Sequence, residues 1–147
     1  MKKFIKSPVS AFLLIGLNVI IITLGAEGFN LYGLPLIAAG GFIYFYNRRL
    51  MGDAWTVRVK EKDRLVTKGL FKYVRHPLYL GLLVLTVGLV ISFVNKWLLL
   101  FLVFIDVPYL YDRALIEEEL LLKCLKGYKD YLRRTERFLP KIRVIMD

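Results

Sequence analysis

The sequence has almost none of the residues from which soluble metal and redox sites are built. It contains one cysteine, Cys124, and one histidine, His76, among 147 residues. An internal disulfide is therefore excluded, and a zinc site would need carboxylates for nearly every ligand, so we expect no bound metal. Neither a GxxxxGK(S/T) nor a GxGxxG motif occurs. A nucleotide site of the P-loop or Rossmann type is therefore unsupported.

Acidic residues are also scarce, while apolar residues are in excess. Lys and Arg number 22 against 12 Asp and Glu, and 57% of the chain is hydrophobic. Soluble domains are usually about 45–50% apolar. Four stretches are nearly free of charge, at 9–25, 31–46, 78–94 and 97–111. Their lengths lie at or just under the roughly 17–25 residues of a membrane-spanning helix. The pattern predicts one all-α domain over 1–147, a polytopic membrane bundle of about four transmembrane helices.

The positive charges predict how this bundle is oriented. In a four-span arrangement, 21 of the 22 Lys and Arg residues fall on one side, at the N-terminus, in the loop 47–77 and in the tail 112–147. The positive-inside rule makes that side cytoplasmic. The two turns on the other side are short and predict two tight helical hairpins. The net charge of +10 is then chiefly a signal of topology with some attraction to anionic lipid, and we expect no nucleic-acid partner.

A few residues within the spans and the tail predict local features. The small residues at 38–41 permit a close helix contact, and Pro108 should bend the fourth span. Asp106 is either a functional carboxylate within the membrane, or a group that accepts a hydrogen bond inside the bundle or lies near the cytoplasmic interface. The tail 114–134 is typical of an amphipathic helix, with Gly127 as a point of interruption.

Two segments on the predicted cytoplasmic side combine charges of both signs. In the first, Pro77 fits the first turn of a helix and places Arg75 and His76 just before its N-terminus, at the cytoplasmic end of the predicted third span. Tyr79 shares a face with Arg75, and Gly81 leaves room for a ligand or another helix. In the second, Glu117 follows Arg113 by one helical turn. Together they suit a zwitterionic or cationic small ligand that carries a carboxylate. Without a ligand, the same residues would be membrane anchors and a solvated ion pair.

The stretch 52–81 resembles the signature of the isoprenylcysteine carboxyl methyltransferase family, which is close to the phospholipid methyltransferases. The resemblance rests on a Leu-Val-x-x-Gly-x-Phe segment, an Arg-His-Pro-x-Tyr-x-Gly block, a Glu-Glu-x-x-Leu block with an upstream Arg, a Tyr pair and a closing Leu-Pro. These residues are Gly52, Trp55, Leu65, Val66, Gly69, Phe71, Arg75, His76, Pro77, Tyr79, Gly81, Arg113, Glu117, Glu118, Leu121, Tyr128, Tyr131, Leu139 and Pro140.

The resemblance implies transfer of a methyl group from S-adenosylmethionine, with S-adenosylhomocysteine as product, to a lipid-like acceptor taken from the membrane. The cofactor site would lie at the cytoplasmic face, under the loop segment 50–73 and the tail helix. The cofactor-binding residues implied are Arg75, His76, Pro77, Tyr79, Gly81, Glu117 and Glu118. Arg113, as the group that positions an anionic acceptor, and Glu118 are the catalytic candidates.

Several alternatives remain open at the level of sequence. The acceptor is a prenylcysteine carboxylate, a phospholipid amine such as phosphatidylethanolamine, or a small thiol. An amine acceptor would need a general base, for which a glutamate is the better candidate. The division of roles among Glu117, Glu118 and Glu119 is undecided. A non-catalytic basic membrane protein that binds anionic lipid or a partner helix is the alternative of another class.

Overall fold

A computed structural model describes residues 8–52 and 65–140, which form an all-helical fold as the sequence predicts. The N-terminal lysines, Trp55 and the residues after Pro140 lie outside the described residues. The helices are α1 (Pro8–Gly25), α2 (Leu34–Met51), α3 (Pro77–Phe93), α4 (Lys96–Phe101), α5 (Val107–Cys124) and α6 (Tyr128–Arg134), with a 3₁₀ turn at Gly69–Lys72 and a π-helical turn at Leu102–Asp106.

Local sequence signals explain where these helices begin. Prolines occupy the first turns of α2 and α3, where the missing N–H costs no intrahelical bond. The side chain of Asn95 caps α4 by accepting a hydrogen bond from the backbone N–H of Leu98 at 3.0 Å. Over the described residues, none of the helices combines the length and the apolar character needed to cross a membrane. The four predicted spans remain a prediction.

The fourth apolar stretch continues into the tail without leaving a helical conformation. α4 passes through the π-helical turn into α5, and Pro108 lies directly after that turn. The tail 114–134 is helical with an interruption near Gly127, as predicted, but its first part continues the preceding helix. Residues from 114 belong to α5, which ends at Cys124, and α6 begins only after Gly127, whose φ of 83° is left-handed. Such a backbone conformation favours glycine and breaks the helix there.

Glycines allow α2 and α3 to pack backbone against backbone. A Cβ on Gly33 would lie 2.0 Å from the carbonyl oxygen of Gly88, and one on Gly40 would lie 2.4 Å from the amide nitrogen of Leu85. The predicted close contact of small residues is thus confirmed at Gly40, whereas a Cβ on Gly41 would meet nothing within 4 Å. This contact makes α3 the main packing partner of α2. The predicted pairing of the first two helices as a tight hairpin is corrected accordingly.

Helix α1 packs against α4 and the turn that precedes it. The side-chain amide of Asn95 donates to the carbonyl of Ile21 at 2.9 Å, and the exposed Lys96 forms an ion pair with Glu27 at 2.8 Å. The turns 26–33 and 94–95 therefore lie at the same end of the bundle. This placement agrees with the predicted positions of the two short turns.

At the other end of the bundle, the segment after α6 pairs with the segment before α3. The amide of Arg75 donates to the carbonyl of Glu136 at 2.8 Å, and that of His76 donates to the carbonyl of Arg137 at 3.1 Å. Val74 and Glu136 form an isolated parallel bridge. This pairing holds residues 136–138 directly beside the Arg-His-Pro block.

Candidate active site

Glu118 is the centre of a buried cluster of charges at this end of the bundle. Only 6% of the residue is exposed. Its Oε1 accepts hydrogen bonds from Nε of Arg75 at 2.9 Å and from Nε2 of His76 at 3.2 Å. Arg137 adds two more, from Nε to Oε1 at 3.1 Å and from Nη2 to Oε2 at 2.9 Å. The two segments singled out in the sequence therefore meet, 43 residues apart along the chain, at one carboxylate.

These hydrogen bonds keep Glu118 ionised although it is buried. Burial alone would raise the pKa of the Glu118 carboxyl, but hydrogen bonds from His76, Arg137 and Arg75 hold that pKa well below its ordinary value. A buried carboxylate of this kind is stable only while its partners remain. Its oxygens are occupied by protein donors, so Glu118 fixes its neighbours more than it offers a contact to a ligand.

The contact with Glu118 also sets the hydrogen-bonding pattern of His76. An ionised carboxylate can only accept, so Nε2 of His76 donates to it. Nδ1 faces Oε2 of Glu117 at 3.8 Å, beyond hydrogen-bond distance. Glu117 therefore lies beside the ring without a hydrogen bond to it.

A second set of contacts lies next to the first and involves Tyr79, Arg113 and Glu117. The Tyr79 hydroxyl donates to Oε1 of Glu117. Nε of Arg113 lies 3.2 Å from the same carboxylate oxygen and 3.0 Å from the Tyr79 hydroxyl. The ring of Tyr79 stacks on that of His76, with centroids 5.3 Å apart and planes within 2°. The stacked rings join the two sets of contacts into one site.

The three consecutive glutamates of α5 point in different directions, because each residue of a helix is rotated about 100° from the one before it. Glu118 points into the protein, while the side chain of Glu117 is 38% exposed and lies at the edge of the site. Glu119 points away and forms an exposed ion pair with Lys123 at 2.9 Å. The register that the sequence left open is therefore resolved, with Glu117 and Glu118 in the site and Glu119 outside it.

Two of the predicted cofactor residues stand apart from these side-chain contacts. Pro77 is buried and begins α3. Gly81 lies against α2, where an added Cβ would be 2.8 Å from the amide of Tyr44 and 2.9 Å from the carbonyl of Gly40. Of the two roles that the sequence offered for Gly81, room for a helix is the one seen. Its assignment to the cofactor stays a prediction.

Two residues of the site were missed in the sequence. Arg137 reaches Glu118 from the segment after α6, and its guanidinium lies 4.8 Å from the ring centroid of Tyr111. Tyr109 accepts a hydrogen bond from Nη1 of Arg113 at 3.0 Å. Arg137 lies just before the closing Leu-Pro, and Tyr109 lies one helical turn before Arg113. Those positions were the available signals, but neither residue type is distinctive there.

Asp106 lies outside the site, within the interface between α1 and the π-helical turn. Its exposure is 3%, and its Oδ1 accepts a hydrogen bond from the side-chain amide of Asn18 at 3.2 Å. Of the alternatives that the sequence offered, a hydrogen-bond acceptor that faces the bundle is the one seen.

Comparison with known proteins identifies the family. The family model described as the isoprenylcysteine carboxyl methyltransferase (ICMT) family matches residues 34–123, more than half of the chain. The chain belongs to the ICMT family. Membership indicates that the protein is a methyltransferase, as the sequence predicted. A search of curated proteins finds no significant match.

The ICMT match covers only part of the charge cluster. It includes the residues of α3 and most of α5 that form the site, among them His76 and Glu118. Helix α1, which reaches Tyr109, and the segment with Arg137 lie outside the matched range. The contacts made by Ser10 and Arg137 are therefore features of this chain that the family match does not cover.

Proposed function

We propose that this member of the ICMT family is an integral membrane methyltransferase that uses S-adenosylmethionine to methylate the carboxylate of a lipid-modified acceptor, such as a prenylated cysteine. One observation carries the proposal. The Arg-His-Pro-x-Tyr block and the Arg113–Glu118 segment, distant in sequence, form a single site of mixed charge. The proposal places both chain termini and this site on the cytoplasmic side.

The residues present fit the charges of S-adenosylmethionine. Its sulfonium and ammonium groups are cationic, and the half-exposed carboxylate of Glu117 offers an acceptor to a cation at the edge of the site. Its carboxylate is anionic, and the N-terminal end of α3, which begins at Pro77, suits such a group. When bound, the cofactor supplies a methyl group attached to a positively charged sulfur.

Positioning is the main task left to the protein in this reaction. A carboxylate acceptor is already ionised at neutral pH, so no general base is required. Bound S-adenosylmethionine would supply its methyl group to an acceptor oxygen, with the electrons of the broken carbon–sulfur bond left on sulfur. Arg113 holds the carboxylate by charge-assisted hydrogen bonds. Correct alignment of the reacting atoms can contribute several kcal/mol to lowering the barrier.

Exposed apolar surface supports both a lipid-like acceptor and a location of the protein in the membrane. Large side chains project outward from α1, α2 and the helical run that leads into α5, including Phe12 at 73%, Phe42 at 70%, Phe45 at 67% and Phe104 at 68% exposure. Soluble monomers rarely leave extended apolar surface of this kind in water. Membrane lipids and a lipid-like acceptor are therefore the proposed partners.

Calorimetry and methyl transfer together test the proposal. Purified protein in detergent should bind S-adenosylmethionine and S-adenosylhomocysteine, and it should transfer a labelled methyl group to an S-prenylated N-acetylcysteine. Phosphatidylethanolamine and a simple thiol serve as competing acceptors, and transfer to either instead would replace the carboxylate acceptor. Folded protein that binds neither cofactor form would favour a non-catalytic lipid-binding protein.

A further inference from the structure

Helix α1 reaches the proposed acceptor site through one buried polar contact. Ser10 is only 3% exposed, and its hydroxyl oxygen lies 2.6 Å from the hydroxyl oxygen of Tyr109 on α5. Tyr109 in turn lies 3.0 Å from Nη1 of Arg113. These three residues connect α1 to the guanidinium that the proposed function assigns to the acceptor.

The chemistry of the three groups determines which one donates and which one accepts in each hydrogen bond. A guanidinium can only donate, so the oxygen of Tyr109 accepts from Arg113. The Tyr109 hydroxyl proton is then available to Ser10, and at 2.6 Å the geometry is that of a strong O–H···O hydrogen bond. Each group satisfies the next, and the orientation of the Tyr109 hydroxyl is fixed from both sides.

Arg113 is held at two separate nitrogens. Its Nε contacts Tyr79 and Glu117, while Nη1 contacts Tyr109. Tyr109, Arg113 and Glu117 are spaced four residues apart on α5 and so share one face. Two anchor points on a planar group prevent it from rotating about its own bonds. A guanidinium fixed in this way presents its donors to a carboxylate in a set orientation.

We propose that Tyr109, held by Ser10, is a positioning residue that fixes the guanidinium of Arg113 for binding of the acceptor carboxylate, so that α1 forms part of the active centre. The inference rests on the proposed function, because it takes Arg113 as the acceptor-binding group. It assigns a role to two residues, one of which lies outside the matched family range.

Tyr109→Phe tests the role, because it removes one hydroxyl and keeps the ring. With an S-prenylated N-acetylcysteine as acceptor, kcat/KM should fall about tenfold, chiefly through a higher acceptor KM. The Kd for S-adenosylhomocysteine should stay within about twofold. Ser10→Ala should act in the same direction with a smaller effect. It should add nothing in the Tyr109→Phe background, because the shared hydrogen bond is already lost.

A merely structural contact would give a different result. It would lower Tm and the fraction of active enzyme but leave the acceptor KM unchanged, and that outcome would overturn the inference, as would additive effects of the two substitutions. Tyr32→Phe is the matched control, since Tyr32 is 85% exposed in the turn before α2. If Tyr109→Phe does not fold, Ser10→Ala alone still tests the acceptor KM. Wild-type protein that transfers no methyl group to this acceptor would instead refute the proposed function.

Discussion

Glu118 and Arg137 form a bidentate ion pair in which Nε and Nη2 of the guanidinium donate to Oε1 and Oε2 of the carboxylate at 3.1 and 2.9 Å. The pair joins α5 to the segment after α6. It also completes the set of donors around a carboxylate that holds both Arg75 and His76. The segment after α6 therefore stabilises the site without being part of the family match.

Replacing Arg137 by Lys should lower stability, because an ammonium group cannot reproduce two parallel hydrogen bonds. We expect the free energy of unfolding to fall by about 1–3 kcal/mol. Thermal or denaturant unfolding in detergent measures it. Arg133→Lys is the matched control, since Arg133 is exposed on α6. Equal stability of the two variants would show that the bidentate pair contributes little.

Glu117 and Glu118 should respond differently to substitution. Glu118→Ala leaves Arg75 and Arg137 without their buried partner, and should cost about 3–5 kcal/mol of stability. Glu117→Gln should leave Tm nearly unchanged, because the side chain is 38% exposed. It should weaken binding of S-adenosylmethionine at least tenfold, as expected for loss of a contact to a charged group.

Calorimetry of cofactor binding, combined with thermal unfolding, distinguishes the effect of Glu117 on cofactor affinity from the effect of Glu118 on stability. Glu119→Gln is the control for both, because Glu119 forms an exposed pair with Lys123. The assignment would be wrong if Glu117→Gln lost stability and kept cofactor affinity.

The depressed pKa of Glu118 makes the protein sensitive to acid. Its native pKa lies below the unfolded value, so its contribution to stability is complete above the ordinary glutamate pKa of about 4.3. As pH falls below that value, the unfolded chain binds a proton that the native state does not, and stability decreases.

Thermal unfolding between pH 7 and pH 3 follows this loss, and Glu118→Gln should show a flatter dependence on pH in that window. The Gln variant starts from a lower stability at pH 7. Parallel curves for the two proteins would assign the acid sensitivity to other carboxyl groups.

Gly40 and Gly41 are adjacent yet should tolerate a methyl group very differently. A Cβ at Gly40 would lie 2.4 Å from a backbone nitrogen of α3, so Gly40→Ala should separate the helices and cost about 1–3 kcal/mol. Gly41→Ala meets nothing within 4 Å and should be neutral or stabilise by up to about 1 kcal/mol. Comparison of the two unfolding midpoints tests the packing of α2 on α3.

Arg113→Ala should abolish most acceptor methylation, because the variant has no group to hold the acceptor carboxylate. We expect a loss of at least about a hundredfold in kcat/KM for the acceptor. Binding of S-adenosylhomocysteine to the same variant should persist. Lys123→Ala is a control in the same helix. Among the ion pairs described, Lys123 contacts only Glu119, which lies outside the site. Full turnover by Arg113→Ala would refute the role given to Arg113.

The sequence by itself determined the helical class and most residues of the site, but neither the start of α5 nor the part played by Tyr109 and Arg137. Local patterns in the sequence predict these features, because apolar runs and prolines in first turns depend only on neighbouring residues. The same holds for the spacing of the site residues Arg75, His76, Tyr79, Arg113 and Glu117. The sequence could not show which glutamate points inward. Three consecutive glutamates allow any one of them to face the protein, depending on how the helix is rotated about its axis.

Only the tertiary structure decided how these pieces come together. It placed Glu118 inward and Glu119 outward, joined Arg137 to the site, and paired α2 with α3 through Gly33, Gly40, Gly81 and Gly88. It also linked Ser10 to Tyr109, 99 residues away. Contacts between distant segments depend on helix rotation and packing distance, and periodicity within a single segment carries no information about either.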